Sequence, residues 1–584
     1  MSGQGFVIAA SRDLALLAGL AARIDAATGW ERLAFDGPAA IFVEMPDAFV
    51  TGTATHETLL VGTVFPRHGP IARCGRIDEE TIADLRGGSP LRLLTRYWGG
   101  YLAIVWSEGR LRIIRDPSAA LPCLFTHEDG GTLLAPNVEL LMRAGLPRPR
   151  VDIDGVADGL FRADLPSSRT ALAAIEELLP GFVLDFDEYS ALTRQVWSPW
   201  EHVETDPQVT TSEHAERLRR AVQNCTASWS SLFDRILMGV SGGLDSSILA
   251  ACLHARKPPP LCATLATREA DGDERHYARL LCEELGLPLV EASYALADID
   301  LGRPARPDLA RPTGRLLAQG YNAAMIRIAR DHAAAAFFTG NGGDNVFAFS
   351  QSAAALADRL LQEGPGRGAW RTARDICRLT GCSLFEALRA AARILRRPRR
   401  YRWRANPRFL TSPILKGLDT RPFTHPWLEP PRGALPGKAA HIAALLRIQR
   451  HLDGTGQLGS LPIVNPLMAQ PVMEASLAVP SWLWCQGGRN RAIARDAFRS
   501  DLPPAITNRI SKGGPDGFGA QIVQAYRKQI RERLLDGELS RHGVIDRAAL
   551  AQHLDDPRPG GGADQVRVLE LLEAEAWINH WQAP

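Results

Sequence analysis

The run from Arg235 to Ser247 constrains this chain more than any other. Arg235 to Val240 is apolar and strand-length. Ser241-Gly242-Gly243 breaks it, and an apolar helical stretch, Ile248 to Leu253, follows. A strand that turns through two glycines into a helix is an anion trap. The glycines let backbone N–H groups close round a phosphate, and the helix N-terminus adds partial positive charge. Ser241, Ser246 and Ser247 add hydroxyl donors. Asp245 would repel a phosphate on its own. It fits if it holds a cation that the phosphate shares. The bland alternative is a serine-rich turn in an α/β domain. Six specified positions between strand and helix weigh against it.

The loop lacks the Lys that a Walker-type loop carries after its last glycine. Ser-Gly-Gly-Leu-Asp-Ser instead resembles the pattern of ATP pyrophosphatases, enzymes that cut ATP to AMP and pyrophosphate. The surroundings suit such a site. From residue 212 onward, strand-like runs at 260–266, 286–291 and 336–339 alternate with helical patterns at 213–228, 273–285 and 319–335. That alternation predicts a parallel, doubly wound sheet. Ligands of such sheets sit at the carboxyl ends of the strands. The turn after Val240 and the turn after Thr339 should therefore face one cleft. The second turn reads Gly340-Asn341-Gly342-Gly343-Asp344-Asn345, and it brings a second carboxylate.

Residues 1–200 read as a separate, sheet-rich α/β domain. Short apolar runs at 5–10, 40–44, 58–65, 101–106, 111–115, 132–135 and 181–186 are bounded by turn residues, with helical patterns at 13–27 and 138–144. The stretch 197–208, punctuated by Pro199 and Pro207, looks like a linker, and residues 201–211 are set as the linker to a second domain at 212–584. At 584 residues the chain is long enough for both. Its net charge of +2 implies no bulk attraction to nucleic acid or membrane. No apolar run approaches membrane-span length. The nine cysteines are scattered without a Cys-x-x-Cys pair, which fits reduced thiols in a cytoplasmic protein. Nothing reads as a signal peptide.

Further motifs carry a wider resemblance. Gly99-Gly100-Tyr-Leu-Ala-Ile-Val-Trp106, Arg115-Asp116-Pro117 and Leu178-Leu-Pro-Gly-Phe-Val183 resemble the N-terminal glutaminase domain of asparagine synthetases. That implies an Ntn-type αββα domain. In that family a cysteine at the start of the mature chain strips ammonia from glutamine. This chain has Ser2 there, and Val61-Gly62-Thr63-Val64 or nearby replaces the glutamine-holding Asn-Gly-Glu. The expectation is a glutaminase fold without glutaminase chemistry. The second turn resembles the family's Gly-Glu-Gly-x-Asp-Glu. By that resemblance Asp245 and Asp344 flank Mg2+, Thr339 and Gly340 lie near ribose and adenine, and Val240 lies under the base. Ser241, Gly242, Gly243, Ser246 and Ser247 take the phosphates of ATP. Asn341 stands where the family has Glu; being neutral at pH 7, it is no general base. Asn508-Arg-Ile-Ser-Lys512-Gly-Gly-Pro-Asp-Gly517 matches the C-terminal block whose Lys stabilises charge on the adenylate. Lys512 is thus a catalytic candidate beside Asp245 and Asp344, on a glycine-flanked loop that can fold over the cleft.

Within the superfamily the motif dialect is most similar to lasso-peptide cyclases, also called macrolactam synthetases. The dialect is the missing nucleophile, Gly340 to Phe347 followed by Ser350-Gln351-Ser352, and Gly488-Arg-Asn-Arg-Ala-Ile493. The resemblance implies a leaderless core peptide as substrate and a leader-peptidase partner. Other amidoligases of the superfamily and a non-catalytic ATP-binding scaffold are the alternatives. An insertion at about 351–440 does not fit the sheet. Between Gly366 and Phe409 it carries thirteen arginines against Asp375 and Glu386. It reads as helices followed by a basic, aromatic run, a candidate dock for an acidic partner or a solvated face. No nucleic-acid partner is expected.

Overall fold

In a computed structural model the chain is described except at residues 1–4, 46–49, 52–55, 129, 187–190, 268–271, 421–424, 454–456, 459–460, 510–512, 515, 557–561 and 584. Ser2 and Lys512 lie outside the described residues.

The strands of the first domain are β1 (Phe6–Ala10), β2 (Glu31–Leu33), β3 (Ala39–Val43), β4 (Val50–Thr51), β5 (Thr58–Pro66) and β6 (Tyr97–Ser107). They continue with β7 (Arg110–Arg115), β8 (Leu124–Glu128), β9 (Gly131–Ala135), β10 (Glu176–Glu177), β11 (Phe182–Phe186) and β12 (Ala191–Gln195). They form two antiparallel sheets, ordered β10-β8-β9-β1-β3-β2 and β12-β11-β7-β6-β5-β4. Successive side chains of a strand point to opposite faces. Phe6, Ile8 and Ala10 of β1 therefore meet Leu102, Ile104 and Leu111 of the other sheet, while Val7 and Ala9 face outward. On the outside of the first sheet lies α1 (Leu14–Thr28), through Leu17, Leu20 and Ile24. Asp13 caps α1, accepting from the N–H groups of Ala15 and Leu16, and Gly29 ends it at φ 63°. On the outside of the second sheet lie α2 (Glu79–Arg86) and α3 (Leu91–Arg96), through Ile82, Leu85 and Leu93. Helix, sheet, sheet, helix is the αββα arrangement the motifs imply.

The second domain begins at α5 (Thr211–Ser230), after α4 (Val138–Arg143) of the first. Thr210 and Glu213 form a reciprocal capping box that sets where α5 starts. Then follow β13 (Ile236–Gly239), α6 (Leu244–Leu253), β14 (Leu261–Ala266), α7 (Arg275–Leu285), β15 (Leu289–Ser293), α8 (Ala318–Asp331) and β16 (Ala336–Phe338). The sheet order is β15-β14-β13-β16-β18-β17, with β17 (Gln457–Leu458) and β18 (Leu461–Val464) arriving much later in the chain. All pairings except β17 with β18 are parallel. The doubly wound sheet is thus present. Its last parallel strand, β18, is not among the strand-like runs read from the sequence. Pro462 lowers a strand signal, but at β18 it faces only the short antiparallel partner.

After β16 come α9 (Gly343–Val346) and the inserted helices α10 (Ala354–Glu363), α11 (Arg367–Thr380) and α12 (Leu384–Leu395). Next are α13 (Pro436–Asp453), α14 (Gln470–Leu477), α15 (Ala492–Ala497) and the terminal α16 (Gly562–Gln582). The stretch read as a linker is anchored rather than loose. The Trp197 indole N–H donates to Glu474 Oε1 at 3.2 Å, and that of Trp200 to the Trp427 carbonyl at 2.9 Å. Trp197 shares a core with Phe65 and Trp98 of the first domain and Trp427 and Met473 of the second. No helix among the described residues is long and apolar enough to cross a membrane.

Candidate active site

The site grows from two neighbouring strand ends. Met238 of β13 pairs with Phe338 of β16, so the chain leaves the sheet side by side at Val240 and Thr339. Val240 is buried and its N–H donates to the Ala263 carbonyl, which makes it the floor beneath the loop. Ser241 Oγ accepts from Gly243 N–H at 3.2 Å, and Ser246 Oγ accepts from Ser241 N–H at 3.3 Å. These two bonds fold the loop back onto the start of α6. Gly242 holds φ 62°, and a Cβ there would collide with Tyr277. Only glycine suits a left-handed turn pressed against the backbone and Cβ of a neighbouring helix residue.

The second turn closes over the first. A Cβ on Gly343 would run into the Asp245 side chain, so the missing side chain is what brings the two turns together. Thr339 is fixed by three bonds: its N–H to the Val464 carbonyl, its hydroxyl to Asn465 Oδ1 at 2.5 Å, and Asn341 N–H to its Oγ1 at 3.1 Å. The late strand β18 therefore orients the residue expected near the ribose.

Asp245 and Asp344 converge as expected, and Arg491 lies between them. Its Nη1 is 3.0 Å from Asp245 Oδ1, 3.1 Å from Asp245 Oδ2 and 2.6 Å from Asp344 Oδ1. The Arg491 and Asp245 side chains are 9% and 13% exposed, while that of Asp344 is 33% exposed and opens to the cleft. In this low-dielectric setting the guanidinium offsets the repulsion between the two carboxylates. Arg491 is held in place by Arg495. That side chain donates to the carbonyls of Asn490, Thr507 and Arg509 and to Asn490 Oδ1, and burial beside Arg491 and Arg489 lowers its pKa to about 10.

The block carrying Lys512 meets the phosphate loop through its described neighbours. Arg509 Nη1 donates to the Ser241 carbonyl at 3.1 Å, and Arg509 Nη2 to Glu274 Oε1 at 2.7 Å. Its guanidinium stacks on Tyr277, 3.8 Å from the ring centre. Gly513 N–H also donates to Glu274 Oε1, at 3.0 Å. Glu274 thus ties down the chain on either side of residues 510–512.

One expected donor is placed elsewhere. Ser247 is fully buried, its hydroxyl without a hydrogen-bond partner among the described residues, and its N–H bonds to the Gly243 carbonyl. It faces the core under α6, because on a helix the next residue after Ser246 points about a quarter-turn away. Sequence reasoning missed Arg491, Arg509, Glu274 and Asn465. Arg491 and Arg509 stood in the quoted motifs, but nothing in their spacing says which arginine reaches a carboxylate. Glu274 and Asn465 carried no signal.

The donor set suits magnesium. Two carboxylates open toward a phosphate loop are the usual protein share of such a site, with phosphate oxygens and water supplying the rest. No cluster of three or more His, Cys, Asp or Glu side chains exists among the described residues, so no all-protein cage competes.

The family model described as asparagine synthase matches residues 213–581. Among curated proteins there is no significant match. Similar solved structures include the allosteric regulatory enzyme of purine biosynthesis, 12% identical, covering 50% of this chain and 80% of that one at a TM-score of 0.22. Another is glutamine phosphoribosylpyrophosphate amidotransferase from B. subtilis, 10% identical, covering 51% and 82% at a TM-score of 0.22. With the phosphate loop, both aspartates and the C-terminal block all inside the matched segment, this chain belongs to the asparagine synthase family, whose members are ATP-dependent amide-forming ligases.

Proposed function

We propose that this chain is a macrolactam synthetase of the lasso-peptide cyclase kind, which closes a core peptide on itself. ATP adenylates an Asp or Glu side chain of the peptide and pyrophosphate leaves. The peptide's N-terminal amine then attacks the acyl carbon, the amide forms, and AMP departs with a proton lost from the amine. The observation that carries the ATP chemistry is the convergence of Asp245 and Asp344 over the Ser241–Ser246 loop. Those carboxylates are the residues that would hold Mg2+, which when bound neutralises charge on the phosphates.

Three features favour an intramolecular amine. Val61-Gly62-Thr63-Val64 or nearby replaces the Asn-Gly-Glu with which the family's glutaminase domain holds glutamine, so the first domain offers no such grip on an ammonia donor. Asn341 offers no carboxylate base, and a nucleophile already tethered to the electrophile asks less of one. Phe349 is 44% exposed beside Arg491, whose guanidinium lies 5.4 Å from its ring centre. An apolar rim serves a polypeptide better than a free amino acid. A leader peptidase that delivers the trimmed peptide is the partner this reading requires.

Intact mass spectrometry of core peptides incubated with ATP, magnesium, this protein and the peptidase tests the proposal. Loss of one water with AMP formed, both slowed in Lys512→Ala, is expected. AMP formed with free aspartate or another small acid, and no change in the peptide, would instead assign a small-molecule amidoligase. No ATP consumption with any acceptor would mean a binding scaffold.

A further inference from the structure

Helices α11 and α12 leave a surface that the candidate site does not use. They pack together through Ala369, Ala373, Ile376, Ala387 and Ala391, with α11 also against residues 481–488 and α12 also against α10. Along α11, Arg367, Arg371, Arg374 and Arg378 recur at helical spacing and all are exposed, Arg378 at the end of the row resting its stem on Gly488. On α12 Phe385 is 71% exposed, Leu388 43% and Leu395 39%. With Ala392 these form one stripe along the helix, and Arg389, Arg393 and Arg396 run along one edge of it. A helix that only covers a core turns its large apolar side chains inward. Here alanines are buried and Phe385, Leu388 and Leu395 face water. The protein's own acids leave most of these arginines uncompensated. Nearby ion pairs join Arg359 to Glu363 and Arg408 to Asp564; among the described residues none of the seven exposed arginines is in a close ion pair, and only Glu386, one turn before Arg389, feels the charge of one of them.

We propose that the outward face of α11 and α12 docks an acidic amphipathic helix of a partner protein. An apolar stripe on that helix covers Phe385, Leu388 and Leu395, and acids along its edge meet the arginines. The asymmetry favours a helix over a bilayer. A membrane-seated helix carries basic residues on both edges of its apolar stripe, whereas the far edge here turns back to the protein at half-buried Leu384. The position gives docking a purpose. The Arg378 side chain packs against Gly488, three residues before Arg491 in the chain, so this surface is tied to the segment that carries the candidate site's arginine. The surface holds whichever acid the synthetase activates.

The test titrates the full-length protein with a fluorescein-labelled synthetic helix bearing a Leu/Phe stripe edged by Glu. A scrambled peptide of the same composition is the control, at physiological salt. Saturable binding of the patterned peptide is expected. The double variants Phe385→Ser/Leu388→Ser and Arg389→Glu/Arg393→Glu should each weaken it about tenfold or more, with helicity and ATP affinity unchanged. Equal binding of the scrambled peptide overturns the proposal, since charge alone would explain it. Absence of saturable binding overturns it too. So does sedimentation with phosphatidylglycerol vesicles that both double variants abolish, which would make the face a membrane surface.

Discussion

Arg491 adopts φ 52°, a left-handed backbone that costs a non-glycine residue energy and persists only where the surroundings impose it. Arg495 imposes it, and the result is a guanidinium aimed between two carboxylates. Removing it leaves Asp245 and Asp344 facing one another with only water between. Arg491→Ala should therefore lower ATP–pyrophosphate exchange by about a hundredfold or more, the scale of an uncompensated buried charge. If exchange rises instead, Arg491 obstructs the cation site rather than shaping it. Asp245→Ala and Asp344→Ala should each abolish exchange, because neither carboxylate alone spans the phosphates. Lys512→Ala should slow it while ATP still binds, since its charge acts on the adenylate. Unaltered exchange in Asp245→Ala would remove the metal role.

Among the elements, the phosphate loop is where local chemistry and packing agree most closely. Gly242 is required twice, by its positive φ and by Tyr277 against its α-carbon. Gly242→Ala should cost about 1–3 kcal/mol of backbone strain. The measurable outcome is weaker ATP binding together with a lower melting temperature. Unchanged affinity would show that the loop relaxes freely. Strand β18 illustrates the opposite case. It is short and holds a proline, yet it completes the sheet beside β16 and presents Asn465 to Thr339. Pairing with an existing strand decided its conformation, and single-chain periodicity cannot register a partner more than a hundred residues away. The insertion helices were legible from their spacing. Which of their faces is covered was not, because that depends on what α11 and α12 pack against.

At the scale of the molecule, the domains are joined by shared cores. The terminal helix α16 belongs to the core that holds α1 of the first domain. Within it Glu573 is fully buried and accepts from Ala305 N–H at 2.9 and 3.1 Å and from the Thr313 hydroxyl at 3.2 Å. Burial dominates these bonds and raises its pKa from 4.5 to about 7. The folded chain thus holds a proton that the unfolded chain gives up. The resulting stability is fully present below pH 4.5 and is lost as pH rises through about 7. Glu573→Gln, which keeps the neutral form, should flatten the fall in melting temperature across that window. An identical slope in the variant would locate the titration elsewhere. The sequence by itself determined the two domain types, the parallel sheet, the phosphate loop and the facing aspartates, because each rests on short-range spacing and local backbone needs. Only the tertiary structure decided which arginine joins the aspartates, that Ser247 points into the core, that Glu274 and Asn465 brace the turns, and that the supposed linker is an interface. Those outcomes depend on contacts between distant segments, and a side chain's direction and desolvation exist only once the chain is packed.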